Sequence, residues 1–596
     1  MDSSTGEKAA TRGKKKPFLG GFLTKLRKRH ISETLAACIG GAWLIIEVVH
    51  FILIGHYHFP EKTLDITIVT LLCALACTLV WRWFSGRERP RKFKLELILL
   101  PLIALITILL DINLFLHLKE PESEPFSAAK WKNSIAVLPF VDMSPQKDQE
   151  YFCDGMTEEL INRLSNIKEL KVPARTSTFM FKGKAEDIRE IGRKLDVRTV
   201  LEGSIRKEDS QLRITVQLVS ASDSFHIWSE TFDKELTKVF AIQDEIALTI
   251  VDKLKLTLLG DEKARLVKRP IDNISAYECY LKAIHEILRY REDSLDRAIQ
   301  YLQNGIDMIG ENALFYIGMA NAYFQYVNIG TKQEDYIAKA EEYAKKALAL
   351  EPDFPKANAL LGWIYSTYRR SHREGIRYMK KALSVNPNEP SALERQAFMY
   401  QDLGRPEQAI PFMNRLRQVD PLNPRNDLLQ GYHYLSEGQY LPALEPVKKF
   451  YQSDPESPMA QFVYALSLAY NSQLVEAFSI IDRSAKATPN NAVTKIGLLL
   501  KYGLLKNRER AFQEMTPDFQ KTCQGDFEWS CYVADAFALL DEKKEALDWL
   551  ENAVDRGFIN YLLLAEKDPW LANIRGEPRF QKLMKQVKYE WEHFEE

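Results

Sequence analysis

Five prolines recur at a fixed interval in the second half of this 596-residue chain, and this period constrains the fold more than any other feature. They are Pro352, Pro387, Pro421, Pro455 and Pro489, separated by 34 or 35 residues, and the first four each begin a PxxP pair. Proline has no amide donor, so the first proline of a pair ends one helix and the second fits the opening turn of the next. The period therefore predicts a tandem array of stacked helix pairs.

Small residues recur in phase with these prolines. One lies twelve positions before each proline, and the series extends outward in both directions: Ala298, Ala340, Gly375, Ala409, Ala443, Ala477, Ala511 and Ala546. A second small position follows four of the prolines by ten residues: Gly362, Ala397, Gly431 and Ala465. Since small side chains let paired helices approach closely, we expect eight helix pairs from about residue 274 to 556, and then a closing cap. In period and pattern, the array resembles the tetratricopeptide repeat (TPR), a helix-turn-helix unit.

This resemblance implies a right-handed all-α solenoid whose concave face is lined by the first helix of each pair and holds peptide or protein partners. Projected onto this chain, the repeat places seven residues on that face: Lys356, Trp363, Phe398, Arg425, Tyr432, Phe462 and Leu466. Tyr, Trp and Arg are enriched among recognition anchors, so we interpret these residues as binding candidates. Packing between repeats is the alternative explanation. The sequence leaves open whether another protein, the chain's own linker or a second copy fills the groove.

Three apolar runs near the amino end are each long enough to cross a bilayer as a helix. They lie at 35–54, 64–81 and about 95–116, and the third contains Pro101. Basic residues cluster in the tail before the first run and between the second and third runs, which places both segments in the cytoplasm. We therefore expect a basic cytoplasmic tail (1–34), a three-span anchor (35–117) in a bacterial inner membrane, and later domains in the periplasm. If the third run does not span, those domains lie in the cytoplasm.

Two ionisable residues lie within the first apolar run. Glu47 and His50 are three residues apart and hence on one helix face. Ionisable groups in hydrocarbon are costly, which indicates either pairing between helices or a proton-sensitive signalling role.

The segment 132–257 predicts an α+β domain with the order β-α-β-α-β-β-β-α. Strands are expected at SIAVLPF, LKVPARTST, VRTVLEGSIRK, QLRITVQLVS and FHIWSETFD, with one strand pair turning between Lys207 and Ser210. Helices are expected at 154–167, at 187–195 and over KVFAIQDEIALTIVDKLK. Polar alternation in RITVQLV indicates that one face of the sheet meets water.

The same segment resembles the TolB amino-terminal-like domain of bacterial multidomain proteins. The resemblance rests on SIAVLPF, YFCDGMTEELINRLSNIKELKVPARTSTFMFKG, LEGSIRK, HIWSETFD and FAIQDEIA. It implies a binding or assembly module, often preceded by a winged helix or a nucleotide cyclase. The 34 residues before the first apolar run are too few for either unit, so we expect neither.

Four residues of the resemblance carry a choice between structural and ligand-binding roles. Gly155 is placed at the turn into the first helix, and Gly203 within the third strand. Arg175 and Ser177 follow the second strand, and Arg175 is expected to pair with an acidic residue of the first helix. A structural role is the simpler interpretation for all four residues.

Charge and motif content exclude several classes of function. The chain has 80 Lys plus Arg and 81 Asp plus Glu, so bulk attraction to nucleic acid is not supported. A phosphate loop, HExxH, GxSxG and paired Cys or His ligands are all absent from the sequence, so we expect no enzyme activity, metal or cofactor. Cys523 and Cys531 allow a disulfide only if a turn at Gly525 brings them together, because eight helical residues span about 12 Å.

These patterns together predict a multidomain protein: an α-helical membrane anchor, an α+β domain at 132–257 and a TPR solenoid with its cap at 274–596. As a function, they predict a membrane-anchored, non-catalytic scaffold or receptor for protein or peptide partners, with homo-oligomerisation left open. The alternative is a transmembrane sensor whose α+β domain binds a small molecule or envelope ligand and signals through Glu47 and His50.

Overall fold

The structure is a computed structural model that describes residues 133–258, 271–328 and 334–595, together with single residues between 38 and 78 and between 262 and 269. The chain divides into two units, Met1–Ala128 and Ala129–Glu596. Among the described residues, no helix is both long and apolar enough to cross a membrane. Most of the three predicted spans lies outside the described residues, and so does His50; Glu47 lies in a helical stretch with its side chain exposed.

The second unit begins with the α+β domain. Its elements are β1 (Asn133–Val137), β2 (Val141–Asp142), α1 (Glu150–Ser165), β3 (Leu170–Lys171), α2 (Arg175–Phe179), α3 (Ile188–Leu195), β4 (Thr199–Glu208), β5 (Gln211–Ser220), β6 (His226–Glu235) and α4 (Val239–Lys253). The strand order is β3-β1-β4-β5-β6, with β2 also pairing with β4. β1 pairs in parallel with β3 and β4, whereas β4, β5 and β6 are antiparallel.

The long antiparallel strands follow the predicted pattern. β4 and β5 form a hairpin that turns at Asp209, whose φ is 53°, inside the predicted interval. Along β5, Leu212, Ile214 and Val216 are buried while Arg213 is exposed, which confirms the alternation. Helices α1 and α4 share a core with one face of the sheet, and α3 shares a smaller core with the other.

Two local predictions in this domain are wrong. The segment LKVPARTST is a strand only at Leu170–Lys171, and after Pro173 it turns into the short helix α2. The physical reason is tertiary, because Asp420 of the solenoid accepts the Ser177 backbone N–H in the first turn of α2. Gly155 lies inside α1 rather than at a turn before it. At its position in the helix, a Cβ would lie 2.4 Å from the Leu281 side chain.

From residue 271 onward, the described part of the chain forms helices, mostly in consecutive pairs. They are α5 (Ile274–Ile287), α6 (Glu292–Ile309), α7 (Ala313–Asn328), α8 (Glu334–Leu350), α9 (Pro355–Tyr368), α10 (His372–Val385), α11 (Pro390–Asp402), α12 (Pro406–Val419), α13 (Arg425–Ser436), α14 (Tyr440–Ser453), α15 (Pro458–Tyr470), α16 (Leu474–Ala487), α17 (Ala492–Leu504), α18 (Arg508–Glu514), α19 (Pro517–Gln524), α20 (Phe527–Leu539), α21 (Lys543–Asp555) and α22 (Pro578–Glu592). Between α21 and α22 lie two short turns, Leu563–Lys567 and Pro569–Leu571.

The small residues of the repeat lie where the helices of a pair meet. Each of the eight belongs to the second helix of a pair and is buried. The backbones approach closely between α9 and α10, where a Cβ on Gly375 would lie 2.8 Å from the Gly362 carbonyl oxygen. First helices of successive pairs also contact each other: α9 contacts α11, and α11 contacts α13. This second set of contacts places the first helices on the inner side of a TPR-like solenoid.

Candidate partner-binding groove

The inner surface of the solenoid carries a row of side chains at one repeat position, which we call the groove row: Trp363, Phe398, Tyr432 and Leu466. The Phe398 and Tyr432 rings lie 5.5 Å apart in an edge-on arrangement. The Arg395 guanidinium lies 2.8 Å from the centre of the Trp363 ring, and the Arg425 guanidinium 5.7 Å from that of Phe398. The first three members of the row are half-buried, whereas Leu466 is buried.

The far end of the groove is covered by the last part of the chain, residues 526–595. It contains the last helix pair, α20 and α21, and the residues after it, and we call it the closing segment. The Tyr532 ring lies 5.2 Å from Phe462, and the Tyr470 ring stacks on Trp570 at 3.8 Å. A further hydrogen bond joins the closing segment to the turn after α11, because the Trp591 indole N–H donates to the Gly404 carbonyl at 3.2 Å. The closing segment therefore occupies this end of the groove. It is none of the three occupants that the sequence leaves open, which are another protein, the chain's own linker and a second copy.

A small cavity remains where the groove meets the closing segment, and we call it the acidic cavity. Its volume is about 50 Å³. Three carboxylates line it, Glu528, Asp535 and Asp568, together with Gln401 and the groove-row residues Tyr432 and Leu466. The other lining residues are Leu435, Ser436, Tyr470, Cys531, Tyr532, Phe558, Asn560, Leu563 and Leu564.

Some polar groups of the acidic cavity have hydrogen-bond partners and others lack them. Glu528 accepts a hydrogen bond from the Tyr532 hydroxyl at 2.9 Å, and Asp568 accepts from the Tyr470 hydroxyl at 3.3 Å and the Trp570 N–H at 2.9 Å. Asp535 is 3% exposed and makes no hydrogen bond or ion pair within the described part of the chain. Gln401 is fully buried, and its Oε1 likewise finds no hydrogen-bond donor there.

Burial raises the pKa values of the acids that line the cavity. It raises the pKa of Glu528 to about 7, with Asp526 adding to the rise, and that of Asp568 to about 6. Burial and the neighbouring Asp568 hold the pKa of Asp535 well above its usual range. Burial and Glu528 do the same to the pKa of Asp402, which accepts a 3.0 Å hydrogen bond from the Tyr432 hydroxyl. The cavity therefore holds protons more tightly than exposed carboxylates do.

A second buried polar cluster, the domain junction, joins α2 of the α+β domain to the loop after α12. The Ser177 N–H and hydroxyl both donate to Asp420 Oδ1, at 3.0 and 2.5 Å. The Asn423 amide donates to the other Asp420 oxygen at 2.8 Å, and the Leu422 N–H donates to the Ser177 hydroxyl at 2.9 Å. Ser177 and Asp420 are each fully buried, so this junction is a satisfied part of the protein interior.

Ion pairs extend the junction. Glu158 of α1 lies 3.4 Å from Arg175 and 3.6 Å from Lys356. The expected pairing of Arg175 with the first helix is therefore present. Gly203 lies in β4 as predicted, and a Cβ there would lie 2.6 Å from the Thr215 carbonyl oxygen.

The seven predicted groove residues fall into three groups. Trp363, Phe398, Arg425 and Tyr432 line the open part of the groove, and Arg425 also pairs with Glu394. Phe462 and Leu466 lie under the closing segment, and Lys356 turns to the domain junction. As a binding surface, the set remains a prediction.

Sequence reasoning missed the acids of the cavity. The available signal was a single Asp within the otherwise apolar stretch VADAFALL of α20. It also left Cys523 and Cys531 undecided; both are free thiols, the first in α19 and the second in α20. Within the described residues, no group of His, Cys, Asp and Glu is arranged to hold a metal ion.

Most of the α+β domain is similar to the domain described by a known family. Residues 131–249 match the family described as HilA/YgeH-like transcriptional regulator, second domain. Over 252 residues the chain is 34% identical to putative adenylate cyclase 3 of Rhizobium meliloti (strain 1021), which covers 42% of this chain and 43% of that relative. Over 118 residues it is 27% identical to transcriptional regulator HilA of Salmonella typhimurium, covering 20% of this chain and 21% of HilA. The chain thus aligns with less than half the length of these relatives.

Solved structures with similarity to this chain include repeat proteins. PilW, a type IV pilus biogenesis factor, has a TM-score of 0.29 at 19% identity and covers 37% of this chain and 98% of its own. The TPR protein YrrB, with an unusual peptide-binding site, has a TM-score of 0.22 at 19% identity and covers 32% and 95%. A human IFIT1 dimer with a capped RNA has a TM-score of 0.36 at 14% identity and covers 52% and 76%. These TM-scores are too low to support any conclusion about this chain.

Proposed function

We propose that this protein is a non-catalytic scaffold or receptor that binds a protein partner in the inner groove of its solenoid. The observation that carries the proposal is the groove row, whose three aromatic members stay half-buried beside Arg395 and Arg425. Rigid aromatic rings and guanidinium groups that keep some exposed surface are typical of binding hot spots. The absence of catalytic motifs from the sequence supports a non-catalytic role.

We also propose that the chain is anchored in a bacterial inner membrane by three spans within 35–117, with the solenoid in the periplasm. Three apolar runs and two basic segments in the sequence support this arrangement. A TolB-like binding or assembly role for residues 132–257 belongs to the same proposal, and it rests on the motif series of that segment.

A regulatory function is the second candidate, and the relatives favour it. The family that matches the α+β domain is described as a transcriptional regulator, and a relative that aligns over 252 residues is named a putative adenylate cyclase. On this reading, the α+β domain and solenoid receive a signal that the membrane spans transmit.

Peptide binding by the full-length protein in lipid nanodiscs tests the scaffold proposal. We would screen an array of random nonapeptides and measure the affinity of the best binders by fluorescence anisotropy. The variants Phe398→Ala and Arg425→Ala are expected to weaken binding about tenfold or more, since each removes a groove contact. The matched control is Phe225→Ala, which removes a ring that is 73% exposed on the α+β domain. Equal affinity in all variants, or no binding by any peptide, would contradict the proposal.

Paired topology reporters test the placement in the membrane. One reporter is active only in the cytoplasm and the other only in the periplasm, and they are fused after residues 90, 125 and 596. A periplasmic carboxyl end is expected. A cytoplasmic one would show that the third apolar run does not span.

A further inference from the structure

The acidic cavity leaves two buried acceptor groups without donors. Gln401 and Asp535 both line it. Gln401 Oε1 is buried without a donor within the described residues, and Asp535, which is 3% exposed, accepts no hydrogen bond there. A buried acceptor without a donor costs about 1–3 kcal/mol, and more when the group is charged. Native proteins satisfy nearly all such groups, so these two indicate a donor that is supplied from outside the chain.

The charge of the cavity narrows the chemistry of that donor. Three groups of acid character line the cavity and two more face them, whereas three cations lie nearby within the described residues. One of these cations, Arg556, acts on Asp526 and donates to the Gly525 carbonyl at 2.9 Å. Arg395 packs on Trp363 and lies 3.6 Å from Glu394, and Arg575 donates to the backbone carbonyl of Asp568 at 2.6 Å. The titratable and charged groups that face the cavity are Asp402, Asp526, Glu528, Asp535, Asp568, Tyr432, Tyr440, Tyr470, Tyr532, Cys531, Arg395, Arg556 and Arg575. Acids outnumber cations here, and without a further cation burial keeps protons on them. A cationic donor would favour their ionised form, so it is the donor that this cluster of acids would bind best.

The size of the cavity decides which cation fits. A volume of about 50 Å³ is a few times the roughly 10–15 Å³ that a single water requires. An ammonium is a compact point charge with three donors, whereas a guanidinium is a wider planar fork with five. Metal-binding geometry is absent from the described residues. The cavity therefore matches a primary ammonium group.

The position of the cavity indicates where the ammonium comes from. Tyr432 and Leu466 belong both to the groove row and to the cavity wall, so the cavity adjoins the groove row. A peptide that lay along Trp363 and Phe398 would bring its next side chains to this shared wall. Lysine combines a four-carbon stem for the apolar row with an ammonium for the carboxylates.

We propose that the inner groove takes a peptide segment in which one lysine places its ammonium in the acidic cavity, against Asp535, Asp568 and Gln401 Oε1. The proposal rests on the proposed function, since it names the chemistry of the partner that the groove binds.

The test compares peptides that differ at one side chain. Three nonapeptide libraries carry a fixed central lysine, arginine or norleucine, which keeps the lysine stem without its charge, and each is titrated with the full-length protein in nanodiscs. Lysine peptides are expected to bind at least about 30-fold more tightly than norleucine peptides, because a buried charge pair is lost. Asp535→Asn is expected to remove that preference while leaving norleucine peptides unaffected. The matched control, Asp518→Asn, changes an exposed carboxylate of α19 and is expected to keep the preference.

The outcomes distinguish a failure of the lysine inference from a failure of the proposed function. Equal binding of lysine and norleucine peptides overturns the lysine inference but leaves the scaffold proposal standing. No binding by any library overturns both. If n-butylammonium alone binds as tightly as lysine peptides, the cavity serves a free amine and the peptide source is wrong. A preference for arginine would overturn the size argument.

Discussion

Asp420 and Asp535 are both buried carboxylates of the solenoid, yet their surroundings are opposite. Asp420 in the domain junction accepts bonds from Ser177 and Asn423, and its exposed fraction is 0%. Asp535 in the acidic cavity is 3% exposed, and the described residues supply it with no donor. A buried acid whose bonds are complete belongs to the fold, whereas one left incomplete weakens the fold and is kept for another purpose. The comparison predicts that substitutions at the two sites change stability in opposite directions.

Removal of the satisfied acid has the largest expected effect. Asp420→Ala leaves the Ser177 N–H and hydroxyl and the Asn423 amide without their acceptor, so we expect the free energy of unfolding to fall by about 3 kcal/mol. Urea unfolding followed by circular dichroism measures this change. Asp518→Ala at an exposed position serves as the control. A loss below about 0.5 kcal/mol would show that the junction does not hold the α+β domain and solenoid together.

Replacing Asp535 with a neutral residue is expected to increase stability rather than decrease it. The raised pKa of Asp535 means that the folded state holds a proton which the unfolded state releases, so wild-type stability falls as pH rises above the ordinary Asp value. Asp535→Asn does not titrate, and we expect it to be about 2 kcal/mol more stable than wild type at pH 8 but equal at low pH. Thermal unfolding across that pH range measures the difference. A variant less stable than wild type at pH 8 would contradict this account.

The pH dependence of peptide binding sharpens the comparison further. An ammonium pairs with ionised carboxylates, and burial raises the pKa of Asp568 to about 6 and that of Glu528 to about 7. Affinity for lysine peptides is therefore expected to rise about tenfold from pH 5.5 to 8, while the lysine remains charged throughout. Anisotropy titrations at several pH values measure this rise, with norleucine peptides as the control. An affinity independent of pH would speak against ionised acids in the cavity.

The smallest expected effect lies in the second partner of the domain junction. Ser177→Ala keeps the backbone bond to Asp420 but removes the hydroxyl that donates to Asp420 and accepts from the Leu422 N–H. We expect a loss of about 1 kcal/mol, well below that of Asp420→Ala, because one donor, the Leu422 N–H, loses its acceptor rather than three. Urea unfolding of both single variants and the double variant also measures their coupling. Losses that simply add would show that the two residues do not act as one cluster.

Much of the solenoid follows from local rules. The eight small residues mark the second helices, and the prolines at 355, 390 and 458 each open a helix. The β4–β5 hairpin and the alternation of β5 could also be predicted from the sequence. Helix α2 could not be predicted, because Ser177 and Asp420 are 243 residues apart in sequence and no local pattern indicates their contact.

The sequence by itself determined the helix pairs, since a proline that ends a helix and an alanine that admits a neighbour act within one repeat of about 34 residues. Only the tertiary structure decided what the groove contains. Gln401, Asp535 and Asp568 lie on different parts of the chain, and each is unremarkable in its own segment. They come together because the closing segment packs against the first helices, and burial there raises the pKa values of carboxylates that are ordinary in their own segments.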